Sequence, residues 1–188
     1  GGVGTIGDSA HVLLTATATV ADRAYDGTQG GSITLIDLHN LFSNYDVTAG
    51  DSAVATFDTK DVGTNIAVTV TGISLAGTQA SKFVLSSTEA TTTADITQAT
   101  LTVTADNTAK TYGQTATFTG TEFSSSGLQN GETIGSVTLA SAGAAATAGV
   151  GSSPYTITVS GATGGTFDEA NYAISYVNGS LTVDPKAL

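Results

Sequence analysis

Four aspartates stand out by spacing among the few side chains here that could do chemistry. Asp46, Asp51, Asp58 and Asp61 fall within sixteen residues. Hard cations such as Ca2+ take about six to eight oxygens from loops of this kind, so these four are the candidate Ca2+ ligands. No EF-hand loop or Gly-Gly-x-Gly-x-Asp run accompanies them. Aspartate also has a backbone reason to sit in turns, where its carboxylate accepts from an amide two residues on. That turn-forming role is the stronger reading. Asp168-Glu169, just ahead of Asn171, is a second acidic site of the same character. The two histidines, His11 and His39, lack a His-x-x-x-His or Glu-x-x-His neighbour and read as structural or surface residues. With no cysteine there is no thiolate nucleophile, disulfide or Cys-ligated zinc. Serines abound without a Gly-x-Ser-x-Gly elbow. Glycines 161, 164 and 165 lie in a Thr-rich β context with no helix to receive a phosphate. No nucleophile–base pair and no cofactor site other than the weak Ca2+ set can be assembled, so an enzyme is the least favoured class.

Tyr25 with Gly27, and Tyr112 with Gly113, are a different kind of candidate. Each Tyr is expected to anchor its module through its ring, its hydroxyl bonding backbone, while the Gly takes a positive φ. These residues belong to a repeat. Ala21-Asp22-Arg23-Ala24-Tyr25-Asp26-Gly27-Thr28 is answered by the stretch from Ala105-Asp106-Asn107 to Tyr112-Gly113-Gln114-Thr115, and both follow a Thr/Val-rich run. From Tyr25 to Tyr112 the step is 87 residues. Gly50-Asp51-Ser52 answers Gly131-Glu132-Thr133 at a step of 81, which leaves about six extra residues between Tyr25 and Phe42. Thr69-Val70-Thr71-Gly72 answers Thr158-Val159-Ser160-Gly161, and Phe83-Val84-Leu85-Ser86 answers Tyr172-Ala173-Ile174-Ser175, both at 89. Ile96 and Leu101 answer Val183 and Leu188 at 87. One module has been copied. Residues 1–12 read as a lead-in or the tail of a preceding unit, 13–98 as the first module and 99–188 as the second. Since Leu188 falls where another module would open, the chain is expected to be part of a longer array.

The elements that must position these residues are short strands. Val12 to Val20 alternates apolar residues with Thr, the period of a half-buried strand. Further strands are expected at Ser32 to Ile36, Ala53 to Phe57, Ile66 to Thr71, Lys82 to Leu85 and Ala94 to Ile96. In the second module they are expected at Leu101 to Ala105, Thr115 to Thr119, Ser136 to Ala140, Tyr155 to Val159, Tyr172 to Tyr176 and Ser180 to Val183. Asn178-Gly179 predicts a two-residue hairpin between the last two. Apolar residues at 38, 41, 42 and 45 predict one or two helical turns. The expected class is all-β and mainly antiparallel: two tandem related modules, sandwich or β-grasp-like, each with at most one short helical turn. Ala94 to Ala105 contains no Pro or Gly, so a nearly continuous, stiff extended segment is expected to join them.

Composition narrows the partners. Net charge is −11 with only five Lys and Arg, which argues against nucleic acid and against anionic membrane surfaces. No window carries the ~18 apolar residues of a membrane helix. Hydrophobic residues make up 40%, with no Trp or Met, so the cores should be thin and built from β-branched side chains.

Tyr25-Asp26-Gly27-Thr28, with Val62-Gly63-Thr64 and the Thr-Val-Thr-Gly strand, resembles the YDG-type repeat of large bacterial surface proteins. Leu101 through Val183 resembles the MBG (YGX-type) repeat that often follows it, in the run LTVTADNTAKTYGQTATF and again in PYTITVSGA and NYAISYVNGSLTV. The resemblance implies modules of long exported adhesins and filamentous-haemagglutinin-like exoproteins, at the bacterial cell surface or outside the cell. There they space other domains or contribute to attachment and biofilm matrix. It carries no catalytic residues. The expected partners are neighbouring repeats of the same polypeptide or like subunits. Two other readings compete with the spacer. One is an extracellular filament built by strand exchange through the edge at residues 11–20. The other is a carbohydrate-binding module using Tyr45, Tyr155 or Tyr176 on surface glycans.

Overall fold

The computed structural model describes residues 11–40 and 42–187. The chain divides into two compact units, Gly1–Thr97 and Gln98–Leu188. Both are all-β: of the twelve strand ladders among the described residues, eight are antiparallel and four are parallel.

In the first unit the strands are β1 (Val12–Leu14), β2 (Thr17–Val20), β3 (Arg23–Ala24), β4 (Gly30–Gly31), β5 (Ile33–Asp37) and β6 (Thr48–Ala49). They continue with β7 (Val54–Phe57), β8 (Gly63–Thr71), β9 (Leu75–Ala76), β10 (Phe83–Leu85) and β11 (Ala90–Thr97). The main sheet runs β3-β11-β8-β7-β4. Its inner face follows the alternation of the sequence: Ala55, Phe57, Val68, Val70, Ala94 and Ile96 are buried while the Thr residues between them face water. The β2–β5 pair packs over this sheet through β2 and β11. A smaller core lies beneath the β1–β10 pair, where Leu14, Leu38, Val47 and Phe83 meet.

The second unit holds β12 (Ala99–Ala105), β13 (Thr108–Thr111), β14 (Phe123–Ser126), β15 (Ile134–Ala140), β16 (Tyr155–Gly165), β17 (Tyr172–Val177) and β18 (Gly179–Asp184). A sheet ordered β13-β18-β16-β15 faces one ordered β14-β12-β17. Ala99, Leu101, Val103 and Ala105 of β12 are buried, as are Ile157, Val159, Leu181 and Val183 of the opposing sheet. The result is a two-layer sandwich. No helix longer than a single 3-10 turn occurs among the described residues; the first unit has one such turn and the second three.

The two halves share a topology. β12 pairs parallel with β17 (Ala99 opposite Tyr172) as β1 pairs with β10 (Val12 opposite Phe83). It also pairs antiparallel with β14 as β2 does with β5. β15, β16, β18 and β13 correspond in order and direction to β7, β8, β11 and β3.

Four local expectations are corrected. Val12 to Val20 is two strands, because the chain changes partner at Thr15-Ala16; a single strand, β12, does both jobs in the second unit. Both pieces have a ladder partner, so this segment is not an unpaired edge on both sides. The helical spacing from Leu38 to Tyr45 does not make a helix in the described residues, and Leu41 lies outside them. Asp37 accepts from the His39 amide and Asn40 from the Phe42 amide, and His39 has φ 48°, so side-chain turns take the place of helical bonds. Thr115 to Thr119 forms no strand and joins no ladder. Finally, Asn178-Gly179 is not a hairpin. β17 pairs with β12 and β18 with β16 and β13, so the chain crosses from one sheet to the other. Gly179 serves a close approach there: a Cβ would lie 2.7 Å from the Ala105 carbonyl oxygen.

Candidate functional site

The repeated arm from Asp22 and from Asn107 is placed in the same way in each unit. Asp22 Oδ1 accepts from the Asp95 amide at 2.8 Å, and Asn107 Oδ1 from the Ser180 amide at 2.8 Å. Each bond ties the start of the arm to its unit's last strand. The Tyr25 amide then donates to Thr97 O at 2.8 Å, and the Tyr112 amide to Asp184 O at 2.9 Å. Gly27 (φ 77°) and Gly113 (φ 91°) occupy the left-handed region, as expected for the turn that ends the arm.

The tyrosines themselves differ. Tyr25 is 1% exposed, and its hydroxyl accepts from Lys60 Nζ at 3.2 Å, with that ammonium 5.3 Å from the ring centre. The Asp61 carboxylate, and then the Tyr25 hydroxyl, raise the Lys60 pKa above the ordinary lysine range. Tyr112 is 46% exposed. The second unit buries a cation instead, one step along the arm. Lys110 is 7% exposed, and its ammonium donates to Gln114 O at 2.9 Å, Ala144 O at 3.3 Å and Ala145 O. Three donors meet three carbonyls. Arg23 is its counterpart, opposite Ile96 as Lys110 is opposite Val183. Its guanidinium donates to Ala24 O and Thr28 O, pairs with Asp26 and lies 5.0 Å from the Phe57 ring centre. Burial pushes the Asp26 carboxyl up, but hydrogen bonds from Thr28 and Arg23 outweigh it and hold the group below its ordinary value.

The four candidate Ca2+ ligands do not converge. Asp46 accepts from the amide and hydroxyl of Thr78, at 2.8 and 2.7 Å, and these bonds lower its pKa. Asp51 is exposed in the turn between β6 and β7. Asp58 continues β7 outward, its amide bonded to Ala67 O. Asp61 pairs with Lys60 at 3.0 Å, a cation where a metal would need free carboxylate. Asp168 caps the 3-10 turn at Glu169–Asn171 through the Ala170 amide. No group of three or more His, Asp or Glu that could hold a metal occurs among the described residues.

The rings weighed for glycans have internal roles. The Tyr155 hydroxyl donates to Gly149 O, the Tyr176 hydroxyl accepts from the Ala162 amide, and Tyr45 packs edge-on to Phe42 and Phe83. A polar groove of about 530 Å3 runs beside the second arm, with Asp106, Phe118 and Glu122 in its wall. Glu122 is the most engaged group in it. Its carboxylate accepts from the amides of Thr119, Gly120 and Thr121 and from the Thr119 hydroxyl. Those bonds, the Thr119 amide first, hold its pKa down at about 2. The spacing Thr119-x-x-Glu122 is that of a capping box and was the available signal for this clamp. Lys110 gives no such signal, because two of the three carbonyls around it, those of Ala144 and Ala145, come from a distant loop.

No curated protein matches the chain. The family model described as YDG domain matches residues 10–93, and the one described as MBG domain (YGX type) matches residues 101–182. These spans coincide with the two β units whose arms carry Tyr25-Asp26-Gly27 and Tyr112-Gly113. The first unit is thus matched as a YDG domain and the second as an MBG domain of the YGX type, in that order along the chain.

Proposed function

We propose that this pair is an extender of a large bacterial surface-exposed or secreted adhesin, holding other parts of that protein away from the cell and contributing to attachment or biofilm matrix. The observation that carries this reading is the use of polar groups. Asp22, Asn107, Lys110, Glu122 and Tyr25 all serve their own unit's backbone and loops, and among the described residues no convergent constellation is left over to act on a substrate. The duplicated topology supports it, since one fold used twice adds length without adding a site. Gln98 alone separates β11 from β12, so no Gly/Ser-rich linker intervenes.

The test is surface display. With a known binding domain placed beyond one, two or four copies of the pair, capture of immobilised target should rise with copy number at equal display. Capture independent of copy number would overturn the extender reading. Saturable binding of the pair itself on a glycan array would replace it with direct recognition.

A further inference from the structure

An open groove of about 580 Å3 lies between β5 and β7 of the first unit. Its apex is the pairing of Gly31 with Ala55 at the end of β4. Two residues later the chain has left that sheet, and Ile33 pairs with Val20 of β2. β5 and β7 therefore diverge from a common point. Ile33, Leu35 and Ile36 line one wall, Ala53 and Val54 the other, with Asp51 in the turn ahead of β7.

Two features define what fits. The first is backbone. Among the described residues β5 forms a ladder with β2 alone, and the β4 ladder on the other wall reaches no further than Ala55. Both walls thus present strand edges that an extended chain can pair with. The second is apolar surface: Leu35 is 57% and Val54 59% exposed, and an occupant with apolar side chains at alternate positions would cover both. Charge then selects among occupants. Among the described residues of the lining, Asp51 is the one that is ionisable. Residues 1–97 carry ten Asp and Glu against three Lys and Arg, and the whole chain is at −11. A second copy brings like charge to Asp51, whereas a segment with Lys or Arg at one end is attracted.

We propose that the β5–β7 groove binds an extended, basic-ended segment of a different polypeptide as an added strand. This goes beyond the extender reading and does not rest on it.

The test is NMR titration of the 15N-labelled chain with two synthetic peptides. Both alternate valine and threonine over six residues; one ends in two lysines, the other in two glutamates. The lysine-ended peptide should give saturable shifts in the amides of β5 and β7, and the glutamate-ended one should bind about ten-fold or more weakly. Leu35→Lys and, separately, Val54→Lys should abolish the shifts. Both sites are on the surface, and an unchanged spectrum of the second unit checks the fold. Asp51→Lys should reverse the preference between the two peptides. No saturable shift in β5 and β7, or equal binding of both peptides, would overturn the proposal. So would concentration-dependent dimerisation that Leu35→Lys removes, because the groove would then belong to a second copy. Copy-number dependence in surface display would survive any of these results.

Discussion

Glu122 takes its hydrogen bonds from three successive amides and one hydroxyl of the turn it closes, and that turn delivers Gly120 O to the Val137 amide of β15. The carboxylate's pKa is about 2 in the fold against an ordinary 4.5. A depressed carboxyl stabilises the fold fully above its unfolded value, and that contribution is lost as pH falls from about 4.5 through about 2. Glu122→Ala should therefore lower Tm at pH 7, and the two proteins' melting curves should converge near pH 2. A constant gap in Tm from pH 7 to pH 2 would contradict the clamp. The same scale shows what a sequence can and cannot tell. The positive φ of Gly27 and Gly113 was legible because Gly is the residue that adopts it freely. The burial of Tyr25 and exposure of Tyr112 were not, since each depends on a loop from elsewhere: Lys60 covers one ring, and nothing comparable covers the other.

At the scale of elements, strands with alternating Thr and Val were legible almost to the residue, as at Ile66–Thr71 inside β8 and Ser136–Ala140 inside β15. Periodicity is a local property and the pleat enforces it. Pairing partners are not local. Asn178-Gly179 has the composition of a type I′ turn, yet neither residue adopts positive φ, and the strands it joins lie in different sheets. Gly is needed there for the proximity of Ala105 and Asp106 backbone, 2.7 and 2.9 Å from a would-be Cβ. Gly179→Val should then destabilise the second unit by ~1–3 kcal/mol through overpacking. Urea denaturation checks this, and a hairpin-type position would respond to positive-φ preferences instead, tolerating Asn. Leu38 to Tyr45 failed as a helix for the converse reason. Leu38 and Tyr45 do face a core, that of Phe83 and Val47, but from a loop held by Asp37 and Asn40.

At the scale of the whole molecule, duplication was the most legible feature, because two copies constrain each other's reading. The two cores share no strand. Phe57→Ala, which empties a fully buried site in the first unit, should cost that unit ~3–5 kcal/mol, and Leu181→Ala should cost the second ~2–5 kcal/mol. Calorimetry should show each substitution moving one transition, with additive effects in the double variant. A single transition moved by both would mean that the units fold as one.

The carbonyl cradle around Lys110 also makes this amine a chemical silence. The nitrogen is buried against the carbonyls of Gln114, Ala144 and Ala145, which close off the approach of an acylating reagent. The chain's other lysines are Lys60, Lys82 and Lys186. Brief acetylation of the native protein should mark the exposed Lys186 by mass spectrometry and leave Lys110 unmarked, and denaturant should bring the Lys110 label in with the unfolding of the MBG unit alone. A residue with no visible part in recognition thereby becomes a built-in gauge of whether that unit is folded.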